Sequence, residues 1–108
     1  MSQRILLVAL LSFSLTFFAS FAQPAGDAGA GRDVFEAKCW DCHNTDSNEK
    51  KVGPGLKGTK DGKLPSGKKA TREIILDLIN KGAGDMPPMQ NMLSGQDKED
   101  VIAYVLTL

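Results

Sequence analysis

The chain has 108 residues with 13 basic and 13 acidic side chains, so its formal net charge is zero. This balance excludes a generally basic protein that binds nucleic acid through its phosphates. With only two cysteines and one histidine, the chain has thiol and imidazole ligands for at most one small metal site.

The first 22 residues have the layout of a secretory signal peptide. Arg4 precedes an almost continuous apolar run over residues 5–18, and small residues at 20–22 suit a signal peptidase. We predict cleavage after Ala22 and export to the periplasm. The alternative is a retained membrane anchor, because the apolar stretch is about long enough for a marginal span. The mature domain is then residues 23–108, with a formal charge of −1 from 12 basic and 13 acidic residues and no membrane span.

Three or more short helices are predicted in this domain, and no strands. Residues 23–29 are small and flexible in composition, which indicates a frayed N-terminus, and the first helix spans about 28–38 with Gly31, Phe35 and Cys39 on one face. Residues 44–70 are rich in glycine, lysine and proline and indicate a long loop. Such a loop is acceptable in a small domain if it packs on a cofactor.

The second helix is predicted over 72–81, with Thr71 as its N-cap and Gly82 as its stop. A loop rich in proline and methionine follows over 84–92. The last helix is predicted from Ser94, which begins a sequence similar to a capping box, to about Leu106.

The motif Cys39-Trp40-Asp41-Cys42-His43 carries the chemistry. Two thiols three residues apart, followed directly by a histidine, are the signature of a covalently attached c-type haem. Each thiol can add across one vinyl group, and His43 can then bind the iron.

A dithiol redox centre is the alternative, but it favours a βαβ context and needs no histidine. A zinc site needs four good ligands, and only three are present. Export fits this motif, since thioether attachment is typically completed outside the cytoplasm.

The sixth iron ligand cannot be a second histidine, and methionine is a soft ligand that suits haem iron. Met86 is favoured because Pro87 and Pro88 restrict the backbone that follows it. Met89, on the same loop, is the next candidate, and lysine or water is possible. Met92, beside Leu93, is interpreted as packing before the last helix.

A proline turn over residues 53–58, Gly-Pro-Gly-Leu-Lys-Gly, is the third element of the site. A metal-bound histidine usually donates its other ring N–H to a carbonyl or carboxylate. The carbonyl of Pro54 is the candidate acceptor for His43.

Taken in order, the haem motif, Gly53-Pro54-x-Leu56-x-Gly58, Met86-Pro87 and a terminal helix with Val101 and Tyr104 resemble the bacterial class I c-type cytochromes. The similarity is to the short, single-haem members and covers nearly all of residues 28–108. It implies an all-α fold wrapped around one covalent haem c, with the first and last helices crossing where Gly31 and Phe35 meet Val101 and Tyr104. It also implies thioethers at Cys39 and Cys42, axial ligands at His43 and Met86, and a hydrogen bond from His43 to Pro54.

One feature departs from that family. Relatives often place a Trp or Tyr in the middle loop to bind a haem propionate, whereas here Trp40 lies between the cysteines and Tyr104 in the last helix. The propionates are therefore expected to rely on Lys, Ser, Thr or backbone groups of residues 57–69.

These features favour a monomeric electron carrier, not an enzyme, that exchanges electrons with partner proteins at the exposed haem edge. Residues 38–81 hold ten basic and six acidic side chains, which could guide such partners. A cytochrome subunit of a larger oxidoreductase is one alternative, for which the apolar stripe over 74–79 offers an interface. A ligand sensor with a labile Met86 is another. Because the hydrophobic core of so small a domain gives only marginal stability, we expect the chain without haem to be largely unfolded.

Overall fold

The computed structural model describes residues 25–108, so the predicted signal peptide and its cleavage site lie outside the described residues. Within this range the chain forms three α helices: α1 (Ala28–Lys38), α2 (Arg72–Lys81) and α3 (Gly95–Val105). A single 3-10 turn, Thr59–Asp61, interrupts the predicted middle loop. Residues 25–108 contain two isolated bridge pairs and no β strand. The predicted all-α fold class is confirmed.

The helix boundaries follow from local capping chemistry. The Thr71 hydroxyl accepts from the N–H of Ile74, and Gly82 ends α2 with φ +70°, so the predicted bounds of this helix are confirmed. The Ser94 hydroxyl accepts from the N–H of Asp97, 3.0 Å away. Because Ser94 has an extended backbone as the cap, α3 begins one residue later than predicted, and it ends one residue earlier, at Val105.

The start of the domain is held more firmly than its composition indicates. The predicted frayed N-terminus is wrong for residues 27–29. The carboxylate of Asp27 caps α1 by accepting from the N–H groups of Gly29 and Ala30. The backbone N–H of Asp27 in turn donates to Asp100 Oδ1 in α3, 2.8 Å away. This hydrogen bond joins two points that are 73 residues apart in the sequence.

Helices α1 and α3 cross in close contact, as the resemblance implies. A Cβ atom on Gly31 would collide with the carbonyl oxygen of Asp100 and lie 2.9 Å from Tyr104 Cβ, so only glycine fits. Beside this contact, the rings of Phe35 and Tyr104 meet edge to face, with centroids 5.4 Å apart. Phe35 and Val101 are each 1% exposed, so the crossing is part of the hydrophobic core.

Helix α2 covers the other side of that core. Its Ile75 and Ile79 side chains are buried, while Ile74 and Leu78 are half-buried against them. The guanidinium of Arg72 makes two hydrogen bonds to the Glu99 carboxylate, which ties α2 to α3. No helix in the described part of the chain is long and apolar enough to cross a membrane.

Candidate cofactor site

A cavity of about 500 Å³ lies between the three helices and the two long loops. Its volume is in the range of small-molecule and cofactor sites, about 300–1,000 Å³. Most of its wall is apolar and includes core residues such as Phe35, Ile75 and Val101. All five site residues predicted from the sequence line this cavity: Cys39, Cys42, His43, Pro54 and Met86.

The cysteine motif lies where α1 ends. Cys39 is the C-cap of α1, and its N–H donates to the carbonyl of Phe35, 2.8 Å away. The N–H groups of Cys42 and His43 then both donate to the carbonyl of Cys39, at 3.1 and 3.0 Å. This tight turn brings both cysteines and His43 to the wall of the cavity.

The Cys39 thiol is partly buried where α1 ends. Burial raises the pKa of the Cys39 thiol to about 11, and the neighbouring Cys42 adds to the rise. The raised pKa disfavours the thiolate at Cys39, whereas the attacking cysteine of a redox centre needs a lowered pKa. In the described range the two cysteines are not joined in a disulfide.

His43 is oriented by the proline turn. Its Nδ1 atom lies 2.8 Å from the carbonyl oxygen of Pro54. A carbonyl can only accept, so Nδ1 carries the proton and Nε2 keeps a lone pair for a metal. The expected hydrogen bond between His43 and Pro54 is present, while a role for these two residues in binding a haem stays a prediction.

Gly53 is a site residue that sequence reasoning treated only as part of a turn. Its N–H donates to the carbonyl of Cys42, 2.8 Å away. A Cβ atom at this position would lie 2.6 Å from Cε1 and 2.9 Å from Nδ1 of His43. The imidazole therefore rests directly on the Gly53 backbone. The sequence feature that could have identified Gly53 as a site residue is its position directly before the proline of the turn.

The methionine loop brings two of its three methionines to the cavity. Met86 and Met89 both line it, and Met92 does not. The interpretation of Met92 as packing is wrong: its side chain is 56% exposed, and its neighbour Leu93 packs on the core instead. Met86 exchanges two backbone hydrogen bonds with Ala83, at 2.9 and 3.1 Å. Met89 is 9% exposed, and its N–H donates to the carbonyl of Ile79.

These residues fit a haem. Two thiols, an imidazole with a free nitrogen and two thioethers line one apolar cavity. Imidazole and thioether are both ligands of haem iron. No group of three or more His, Cys, Asp or Glu side chains in residues 25–108 is placed to bind a metal ion by itself.

Comparison with known proteins gives the same result. Residues 26–105 match a family model described as cytochrome c oxidase, cbb3-type, subunit III. Cytochrome c6 of Rippkaea orientalis is 34% identical over 103 residues, covering 93% of this chain and 90% of the relative. Cytochrome c6 of Nostoc is 31% identical over 106 residues, covering 96% and 92%. The crystal structure of cytochrome c6 from the diatom Phaeodactylum tricornutum matches with a TM-score of 0.61 and 30% identity, covering 76% of this chain and 93% of that one.

The chain therefore belongs to the small class I c-type cytochromes with a single haem. Within that class, the relatives named above are cytochromes c6. Membership confirms the family resemblance, one covalently attached haem c as the cofactor, and electron transfer instead of enzyme catalysis. As an electron carrier, the protein works with redox partner proteins.

Proposed function

We propose that this protein is an exported, periplasmic, monomeric electron carrier whose haem c is bound through Cys39 and Cys42, with His43 and Met86 as axial ligands. One observation carries the proposal: both cysteines, His43 and Met86 line a single apolar cavity, with His43 already oriented by Pro54. Export rests on the signal-peptide pattern of residues 1–22. The mass of the mature protein tests it, since cleavage after Ala22 leaves Gln23 as the first residue.

When bound, haem c supplies an iron that changes between the ferrous and ferric states. The residues of the chain would keep the surroundings of that iron the same in both states. The Pro54 carbonyl holds the His43 ring, and paired hydrogen bonds with Ala83 hold the Met86 backbone. With His43 and Met86 both bound to the iron, no coordination site would be open for a substrate. Such a site is suited to passing single electrons.

Met86 is the better axial ligand for two structural reasons. The prolines at 87 and 88 restrict the chain directly after it, and its backbone is paired with Ala83. Its side chain is only half-buried, so a cofactor would cover it further. Met89 is already buried in the core, where its flexible side chain fills space between helices.

An optical spectrum decides between these methionines. The ferric holoprotein should show the far-red absorption band of a methionine-ligated haem. We expect this band to be lost in Met86→Ala and kept in Met89→Ala. Met92→Ala, which changes an exposed methionine of the same loop, is the matched control. A band that persists in Met86→Ala and disappears in Met89→Ala would transfer the ligand to Met89.

Carbon monoxide separates an electron carrier from a ligand sensor. If Met86 holds its position, ferrous protein at neutral pH should bind CO slowly or not at all, and Met86→Ala should bind it rapidly. Rapid binding to the unaltered protein would favour a sensor with a labile methionine. It would count against the carrier function.

We propose that redox partners dock at the mouth of the cavity and carry acidic surfaces. Lys38, Lys50 and Lys68 line the cavity and are exposed. None of these three lies within 4.0 Å of a carboxylate in the described range. Val52, also on the cavity wall, is 52% exposed and offers apolar contact beside them. Electron exchange with an acidic partner should slow as salt increases, and more weakly so in Lys50→Gln. A rate that does not depend on salt would show that these lysines do not contribute to docking.

A cytochrome subunit of a larger oxidoreductase is a second candidate, because the matching family model is described as a subunit of a cbb3-type oxidase. The apolar stripe of α2 gives this candidate little support. Ile75 and Ile79 are 5% and 7% exposed and pack in the domain's own core. Size-exclusion chromatography of native periplasmic and membrane fractions distinguishes these two candidates. Elution as a single small haem protein supports the carrier. Co-elution with a large complex supports the subunit.

A further inference from the structure

The haem of the proposed function carries two propionate carboxylates, which need polar partners. The aromatic donors of the domain are engaged elsewhere. The ring of Tyr104 packs against Phe35 in the helix crossing. Lys51 Nζ lies 4.4 Å from the centroid of the Trp40 ring and donates to the Trp40 carbonyl. Neither aromatic side chain is placed on the loop opposite the cysteine motif.

The arginines of the described range are also engaged. Arg32 pairs with Glu36 on the exposed face of α1, with Nε 3.1 Å from Oε1. Arg72 holds Glu99 between α2 and α3. Arginine is the usual bidentate partner of a carboxylate. With both arginines engaged, the remaining donors of residues 25–108 are lysine, hydroxyl, amide and backbone N–H groups.

A second cavity, of about 420 Å³, adjoins the first and is lined by a different kind of residue. The two cavities share three wall residues: Pro54, Leu64 and Pro65. We call the second one the side cavity. Apart from the shared wall, it is bounded by polar side chains and by glycine backbone: Asn48, Lys57, Lys63, Gly55 and Gly58.

The donors of the side cavity have no carboxylate partner in the protein. Neither Lys57 nor Lys63 has a carboxylate within 4.0 Å among residues 25–108. Asp61 is the nearby acid, on the 3-10 turn that follows Gly58, and it pairs with neither lysine. Across the same range, the backbone N–H groups of Gly55 and Gly58 donate to no protein acceptor. A positively charged recess with free donors therefore lies beside the apolar cavity, along the wall that the two share.

We propose that the side cavity receives the haem propionates, with Lys57 and Lys63 as their counter-ions. The apolar cavity would hold the macrocycle, and the shared wall at Pro54 and Pro65 marks where its carboxylate edge passes into the polar recess. Because Pro54 also holds His43, one turn would fix both an axial ligand and the propionate edge. This assignment rests on the proposed function, since it needs a haem in the first cavity.

The pH dependence of the midpoint potential tests this proposal. Opposite charge within about 4–6 Å lowers the pKa of a carboxylic acid by about 1–3 units. In the double variant Lys57→Gln, Lys63→Gln, the pH transition that reports propionate ionisation should therefore move upward by about 1 unit or more. Charged groups near this edge are the two lysines, Asp61 on the adjacent turn, and Lys50 and Lys68 on the wall of the first cavity.

Lys60→Gln is the matched control, because Lys60 belongs to the same loop, is exposed and lines neither cavity. We expect its pH transition to match that of the unaltered protein. The charge-preserving pair Lys57→Arg, Lys63→Arg should also keep the transition, and it covers the case in which the glutamine variant folds poorly. Equal transitions in all variants, or a shift only in Lys50→Gln or Lys68→Gln, would overturn the proposal.

The optical spectrum separates failure of this proposal from failure of the proposed function. A normal far-red band with an unmoved pH transition would refute only the propionate site. Loss of haem, or absence of that band in the unaltered protein, would refute the proposed function itself. Propionate proton resonances in the NMR spectrum of the ferric protein give a second measurement, and they should move in the double variant and stay in Lys60→Gln.

Discussion

The two halves of this domain are held together in different ways. On one side, α1 and α3 meet directly: Gly31 allows the backbones to touch, Phe35 packs on Tyr104, and Asp100 binds the N-cap residue Asp27. On the other side, α2 and the two long loops face a cavity of about 500 Å³. The first half is completed by the protein's own side chains, and the second by its cofactor.

This difference shows how so short a chain can fold. A crossing of two 11-residue helices is too small to be stable alone, since isolated helices of this length are marginal in water. The cavity-facing residues would lose packing partners if the cavity were filled only by water. Haem therefore serves as the missing part of the hydrophobic core as well as the redox centre.

The largest expected effect comes from removing covalent attachment. In the double variant Cys39→Ala, Cys42→Ala, purified without haem, we expect most of the helical circular dichroism to be lost, because the walls of the cavity lose the packing that the haem would supply. Trp40→Phe, within the same motif, should keep both haem and helix. A haem-free variant with native helix content would show that the protein side chains suffice, and the contrast between the halves would not hold.

A smaller effect is expected at the helix crossing. Gly31→Ala places a methyl group against the Asp100 carbonyl, and overpacking of this kind costs about 1–3 kcal/mol. The free energy of unfolding of the holoprotein, measured by denaturant titration, should fall by that amount. Gly95→Ala, where a Cβ would meet nothing within 4 Å, is the control and should change stability by less than about 1 kcal/mol. Equal stability in the two variants would contradict the close contact.

Gly53→Ala should affect the redox centre more than the fold. The new methyl group would displace the His43 ring and weaken its hydrogen bond to Pro54. That bond makes the imidazole a stronger base, which favours ferric iron. If the hydrogen bond stabilises the ferric state over the ferrous state by about 1 kcal/mol, its loss would raise the midpoint potential by roughly 40 mV. An unchanged potential, with Gly95→Ala as reference, would show that Gly53 does not position the imidazole.

The smallest effect is a dependence of stability on pH at the crossing. The hydrogen bond from the Asp27 N–H, with a second from Gln96, lowers the pKa of the Asp100 carboxyl in the folded protein. The unfolded chain therefore takes up its proton first as pH falls. The stabilisation is complete above the ordinary pKa of about 4 and is lost as pH falls through the lower folded value.

Thermal melting of the holoprotein between pH 3 and pH 7 measures this effect. Asp100→Asn should flatten the decline of the melting temperature in acid. Asp33→Asn, which changes an exposed residue of α1, should leave the decline as it is. The same decline in both variants would remove Asp100 as its source.

The sequence predicted the parts of this molecule that depend on neighbouring residues. Thr71 and Ser94 cap their helices as expected, and the cysteine motif forms one tight turn. The contact between Asp27 and Asp100 could not be predicted, because no local pattern connects residues so far apart in the chain. Met92 was interpreted wrongly because a loop has no periodicity that tells which side chains face inward. The side cavity depends in the same way on how separate parts of the loop over residues 44–70 meet.

The central claim is that one haem, attached to Cys39 and Cys42, completes this fold. Intact mass spectrometry of protein exported from cells with a functional haem-maturation system tests it most directly. We expect the mature chain to carry the added mass of one haem, and the Cys39→Ala, Cys42→Ala variant to carry none. A folded, colourless protein with the mass of the bare chain would contradict the account.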